Sequence, residues 1–140
     1  MAIHFFFQKQ VASLKQRQQL KQFLLTLFKK EKHSLGSLTY IFCSDDELLE
    51  INKQFLKHDY YTDIITFNLA PKKTPIEGEI YISIDRVKDN AYQLSTSIIE
   101  ELHRVIFHGA LHLCGYKDKN KSDMLEMRKA EDRYIKLYFS

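Results

Sequence analysis

The period of the apolar residues changes several times along this chain, and the changes mark its elements. Ile3–Phe7 is a short apolar and aromatic run that predicts a first strand. Between Leu14 and Lys32 the period lengthens. Leu20, Phe23, Leu24, Leu27 and Phe28 recur at three- and four-residue spacing, as on one face of a helix. Gly36 and Ser37 end that helix, and Leu38–Cys43 (LTYIFC) is rich in strand formers. Ser44-Asp45-Asp46-Glu47 has the form of a capping box. The helix it opens continues through Leu48, Leu49, Ile51, Asn52 and Phe55, with acids in the first turn, where they suit the helix dipole. After a turn at Asp59–Tyr61, Ile64–Leu69 predicts a third strand. A lysine-containing turn, Pro71–Pro75, leads to a fourth at Glu77–Ile84. There Ile80, Ile82 and Ile84 alternate with Glu79, Tyr81 and Ser83, giving one apolar face. Asp85 is placed to cap a helix to about Gln93. Ser97-Ile98-Ile99-Glu100 reads as a second capping box, opening a helix to about Cys114. Ser122 is placed to cap a last helix to about Phe139, along which Leu125, Arg128, Lys129 and Asp132 alternate between core and solvent.

The order β α β α β β α α α predicts an α+β (α/β-like) fold: one domain spanning 1–140, with a mixed four-stranded sheet and about five helices packed on it. A chain of 140 residues with 44% hydrophobic and 28% charged residues can build a real core and is not of disordered composition. The excess of 21 Lys+Arg over 18 Asp+Glu permits a nucleic-acid partner without requiring one. The basic residues around the first helix (Lys15, Arg17, Lys21, Lys29, Lys30, Lys32) read as a solvated face rather than an RNA patch. Cys43 and Cys114 form no disulfide framework and fit reduced thiols. The N-terminal apolar run is too short for a signal peptide, and no run has the length of a membrane span. A cytoplasmic protein with no membrane partner is the expectation.

The candidate chemistry lies in Phe107–Lys119, FHGALHLCGYKDK. His108 and His112 are four residues apart, so on a helix they lie one above the other on one face. Gly115 suits the left-handed residue after a helix end, and the chain can then return Asp118 toward the histidines. Zinc takes three or four N, S or O ligands at about 2.0–2.3 Å. His108, His112 and Asp118 therefore make a candidate set for one Zn2+ ion with an open position. A histidine pair alone is as well explained by satisfied core residues. The helix-stop glycine and the returning carboxylate turn the balance toward a metal. His103 lies about 140° from His108 around the helix and is not expected to be a ligand. Glu101 and Arg104 share the histidine side of the helix, and a structural role is expected for Glu101. The segment differs from the zinc-peptidase pattern H-E-x-x-H-x-x-G-x-x-H at two points. Gly109 stands in place of the general-base glutamate, and Asp118 in place of the third histidine. A phosphodiester substrate would need cations near the phosphate. Lys57, Arg86 and Arg104 are expected to border a groove leading to the ion, with Arg104 and Lys57 the candidate catalytic charges.

HGALHLCGYKD resembles the signature H-G-x-L-H-L-x-G-Y-D-H of the YbeY family of ribosomal RNA maturation endoribonucleases. Gly109, Leu111, Leu113, Gly115 and Tyr116 match, as do both histidines. Asn52 to Phe67, with Thr62-Asp63-Ile64-Ile65-Thr66-Phe67, is similar to the family's N-x-x-(Y/F)…P-T-D-V-L-S-F segment. Gly78–Ser83 is similar to its G-D-I-x-I-S strand. The resemblance covers roughly Ile41 to the end of the chain, with the three motifs in the family's order. It implies a small mixed sheet with helices and one zinc ion held by three side chains. It also implies single-strand endoribonuclease activity in maturation of the 16S ribosomal RNA 3′ end and in ribosome quality control. The implied partners are ribosomal RNA and the small ribosomal subunit, with no DNA partner. The chain departs from the pattern at Asp118, where the family has histidine, and at Leu56, where it usually has an arginine implicated in activity. Two other classes stay open: a metal-dependent hydrolase such as a peptidase, and a ribosome-associated binding module with a structural metal.

Overall fold

The computed structural model of the chain describes residues 2–9, 11 and 14–140. The strands are β1 (Ile3–Phe7), β2 (Leu35–Cys43), β3 (Ile64–Asn68) and β4 (Ile76–Ser83). The helices are α1 (Arg17–Lys30), α2 (Asp45–Leu56), α3 (Ile84–Leu94), α4 (Ile98–Leu113) and α5 (Lys121–Phe139). The strands form one sheet in the order β1-β2-β4-β3. β1, β2 and β4 run parallel, and β3 returns antiparallel along β4, with Ile64 opposite Ile82 and Asn68 opposite Gly78. This is the mixed four-stranded sheet with five helices that the periodicity predicts.

The pleat sends alternate residues to opposite faces. On one face Leu38, Tyr40 and Phe42 of β2 join Ile80 and Ile82 of β4 in the main core, with α1, α3, α4 and α5. On the other, Cys43, Ile65, Phe67 and Tyr81 meet Leu48 and Ile51 of α2 in a smaller cluster. β4 is therefore covered on both sides near Tyr81, where alternation alone suggests one apolar face.

The central helix is α4. Leu102, Val105, Ile106, Phe107, Ala110 and Leu111 are all buried. Phe107 packs on Phe23 of α1 with ring centroids 5.3 Å apart. From the sheet, the Tyr40 hydroxyl donates to the Ile106 carbonyl at 2.7 Å. Gly109 brings helix and sheet together. A Cβ there would lie 2.8 Å from Ile80 Cδ1 and 3.0 Å from Ile64 Cδ1.

Local signals set most helix ends. Ser44 and Glu47 form the expected capping box at α2. Ser97 caps α4 by accepting from the Glu100 amide, which is half of the expected box. Two expected caps are displaced. Ser83, the last residue of β4, caps α3 in place of Asp85, because the helix begins directly where the strand stops. Asn120 caps α5 in place of Ser122, which falls inside the first turn. Along α5 the core stripe is Met127, Ala130, Glu131 and Tyr134, while Leu125 is exposed.

Candidate functional site

α4 ends in a Schellman motif. The Gly115 amide donates to the His112 carbonyl and the Tyr116 amide to that of Leu111, each at 3.1 Å. Gly115 takes φ 101°, which a residue with a side chain adopts only under strain. Tyr116 is anchored beyond it, its hydroxyl donating to Glu31 at 3.0 Å. This turn reverses the chain and brings Asp118 back over α4. Asp118 Oδ2 lies 3.6 Å from His108 Nε2.

The other nitrogen of the same ring is occupied. His108 Nδ1 is 2.6 Å from Glu131 Oε2 on α5. Glu131 is only 6% exposed. Arg104 braces it, with Nη1 3.2 Å from Glu131 Oε1 and 2.8 Å from Asp132 Oδ1. The buried carboxylate thus orients the imidazole so that Nε2 faces Asp118, the arrangement in which a histidine's second nitrogen is held while the first coordinates.

His108 and Asp118 open onto a cavity of about 310 Å³, also lined by Thr62, Asp63, Glu101, Arg104 and Arg128. Its ionisable groups are shifted by one another. Burial lowers the pKa of His108, but the Glu131 hydrogen bond and the charges of Asp63 and Asp118 outweigh it and leave the imidazole above its ordinary value. Burial raises the Asp63 carboxyl above the usual carboxylate range, against the opposing pull of His108. Burial raises Glu101 as well, reinforced by the Asp63 charge.

The residues singled out from sequence fare differently. His108 and Asp118 come together. His112 is exposed and does not line the cavity. Among the described residues no three His, Cys, Asp or Glu side chains are grouped closely enough to hold an ion. In donor chemistry the pair still fits zinc. Two ligands at ordinary zinc bond lengths around a tetrahedral ion lie about 3.4 Å apart, near the observed separation. His103 is buried, with Nδ1 2.7 Å from the Ile99 carbonyl and its ring stacked on Tyr138, as expected of a core histidine. Cys114 is buried away from the cavity.

Among the cations the expected groove changes composition. Arg104 lines the cavity, but its guanidinium is engaged by Glu131 and Asp132. Arg86 does not line it. Asp45, 41 residues away in sequence, pairs with it at 2.7 Å. Lys57 is exposed and also outside it. Arg128 takes the place expected for these two. It lines the cavity, is largely exposed and approaches Glu131 only to 3.9 Å.

Three ionisable cavity residues had no assigned role from sequence: Asp63, Arg128 and Glu131. Glu131 left a signal, since a carboxylate in the same stripe as Met127, Ala130 and Tyr134 must find a buried partner. Asp63 stood in the Thr62–Phe67 segment that carries the resemblance.

Against this geometry, the family described as Endoribonuclease YbeY matches residues 4–138. The chain belongs to the YbeY endoribonuclease family. A relative from Cytophaga hutchinsonii named Endoribonuclease YbeY is 52% identical over 135 residues, covering 96% of this chain and 94% of the relative. One of the same name from Flavobacterium psychrophilum is 51% identical over 108 residues, covering 77% and 76%. The solution structure of a Thermotoga maritima protein superposes with a TM-score of 0.64 at 28% identity, covering 98% of this chain and 89% of that one. The fold and the motif order thus agree with YbeY family membership. Among the described residues no helix is long and apolar enough to cross a membrane.

Proposed function

We propose that this chain is a metal-dependent endoribonuclease that cleaves single-stranded RNA, with His108, His112 and Asp118 holding one zinc ion. The observation that carries the reading is the His108 ring, pinned at Nδ1 by buried Glu131 and presenting Nε2 to Asp118 at 3.6 Å on the wall of the cavity. It sits in a chain whose relatives are named endoribonucleases. His112 would complete the set by side-chain rotation, since it is exposed and one helical turn from His108. Bound there, zinc would supply a Lewis acid to a phosphoryl oxygen and lower the pKa of a water.

The chain's own groups divide the remaining work. Glu131 fixes the tautomer and direction of His108, and Arg104 and the 3.9 Å approach of Arg128 offset its buried charge. Arg128, largely exposed at the rim, is the cation available to a phosphate. Asp63 and Glu101 both line the cavity, where burial favours the protonated carboxyl; in this reading they hold or pass a proton beside the phosphate, for Glu101 a role beyond the structural one expected from sequence. Lys57 and Arg86 lie outside this set.

Gly109 argues against the peptidase reading. The position that carries the general base in zinc peptidases faces Ile80 and Ile64 of the sheet, so a glutamate there would enter the core rather than the site. The substrate class we propose is a ribosomal RNA precursor, bound in the cytoplasm on the small ribosomal subunit and cut during 16S RNA 3′ end maturation. The test is purified full-length protein incubated with unpaired RNA, duplex RNA and casein, with and without chelation and zinc readdition. The reading expects cleavage within the unpaired RNA alone, lost on chelation and restored by zinc. Casein cleavage, or RNA cleavage indifferent to chelation, would overturn it.

A further inference from the structure

The segment from the end of α2 to the start of β3 exposes aromatic surface beside the cavity. Phe55 is 63% exposed, Tyr60 57% and Tyr61 48%. Large apolar side chains are exposed elsewhere on the chain, but this segment runs directly into Thr62 and Asp63, which line the cavity. Tyr61 and Asp63 are two residues apart, at most about 7 Å of extended chain.

The segment is held in place. Asn52 is buried, and its Nδ2 donates to the Tyr60 carbonyl at 2.9 Å. The His58 amide donates to the Asn52 carbonyl at 3.1 Å. The His58 and Tyr60 rings stack with centroids 5.0 Å apart at 19°, and the Tyr60 hydroxyl meets His58 Nδ1 at 2.9 Å. The Tyr61 hydroxyl donates to Asp46 at 3.2 Å, and the Arg86 guanidinium lies 5.4 Å from its ring centroid. The Asp63 carbonyl accepts from the Ser83 amide at 3.0 Å, fixing the end of the segment to the sheet. The rings are therefore exposed yet pre-oriented, so little ordering cost remains when a flat ligand lands on them.

We propose that Tyr60 and Tyr61, with His58 stacked behind Tyr60, form a platform on which unpaired bases of the RNA stack next to the scissile phosphate. They are positioning residues, and the proposal rests on the endoribonuclease reading for the identity of the ligand. Every base has a π-face, so such a platform accepts single strands of varied sequence. A duplex hides those faces in its own stack, so the platform also selects unpaired RNA. The rings carry hydroxyl and imidazole edges, which suits planar bases with polar rims better than an apolar protein surface.

The test measures binding of full-length protein, in chelator so that no cleavage occurs, to a fluorescent unpaired decanucleotide and to a duplex of equal length. Tyr60→Ala and Tyr61→Ala should each weaken binding of the single strand by about fivefold to a hundredfold. Tyr60→Phe and Tyr61→Phe should restore it to within about twofold. The loss should be the same at low and high salt, because stacking, unlike phosphate contact, releases no counterions. Duplex binding should be weaker and unchanged by these substitutions. Thermal melts check that the exposed positions leave the fold intact. Alanine variants that bind the single strand like the parent would overturn the platform, and if they still cleave RNA the endoribonuclease reading survives. Tyrosine-dependent binding in a protein that cleaves no RNA with any metal would sustain the platform and sink the catalytic reading. Alanine variants that keep RNA affinity but no longer co-sediment with small subunits would reassign the surface to a protein partner and overturn the proposal.

Discussion

Replacing Gly109 with alanine sets two magnitudes against each other. In an ordinary helix interior the change stabilises by about 0.5–1 kcal/mol, because glycine loses more backbone entropy on folding. Here the new methyl would sit 2.8 Å from Ile80 Cδ1, 3.0 Å from Ile64 Cδ1 and 3.0 Å from Ile80 Cγ2. The two Cδ1 atoms can swing away about χ2. Cγ2 moves only with χ1, which is stiff in a β-branched residue, and Ile80 is fully buried. Overpacking of this kind costs about 1–3 kcal/mol. The packing term wins, leaving Gly109→Ala about 1 kcal/mol less stable than the parent, or roughly 3–5 °C lower in Tm for a chain of this size. The assay is reversible urea unfolding of both proteins followed by circular dichroism, with equal slopes required before midpoints are compared. Gly109→Glu puts a carboxylate where no partner is offered and should yield no soluble folded protein. An alanine variant as stable as the parent, or more stable, would refute the close approach of α4 to the sheet. It would also weaken the physical case against the peptidase reading.

Glu131→Gln keeps the shape of the His108 partner and removes its charge, so zinc affinity measured against a chromophoric chelator should fall about 10- to 100-fold; unchanged affinity would remove Glu131 from the account. Burial pushes the Cys43 and Cys114 thiols up to about 12, so iodoacetamide at pH 8 should label neither in the folded protein and both in urea; rapid labelling of the native chain would contradict the packing around them. The Asp85 carboxyl is held below the usual carboxylate range, first by its hydrogen bond from Lys9 and then by the Asp45 amide. A depressed folded-state pKa stabilises above the unfolded value and is lost as pH falls through the folded one. Asp85→Asn should therefore be less stable than the parent at pH 7, with the difference narrowing as pH falls below about 4; a gap that did not narrow on acidification would show that the pairing is not its source.

Local signals were readable and long-range ones were not. Gly115 and the histidine spacing announced the helix end and the returning Asp118, because a Schellman motif is written within six residues. Ser44 and Ser97 announced their caps for the same reason. Asp85 and Ser122 lost their expected capping roles to Ser83 and Asn120, since where β4 and the last turn stop is decided by sheet pairing and by the fold of the loop. Arg86 looked available for phosphate, yet Asp45 from another element neutralises it. Arg128, spaced as a surface residue of α5, reaches the cavity because α5 packs along α4. The His108–Glu131 pair joins two helices 23 residues apart. Only the carboxylate's place on an apolar stripe hinted at a buried partner, and nothing local named it.

The most direct test of the central claim is metal content measured beside RNA cleavage in untagged protein, for the parent chain, Asp118→Ala and Asp118→His. The account predicts about one zinc per parent chain, by the three-ligand stoichiometry of an open zinc site. It predicts a sharp loss of zinc and cleavage in Asp118→Ala at nearly unchanged Tm, and recovery of zinc in Asp118→His. An alanine variant that keeps full zinc occupancy would make Asp118 a surface carboxylate and contradict the site described here.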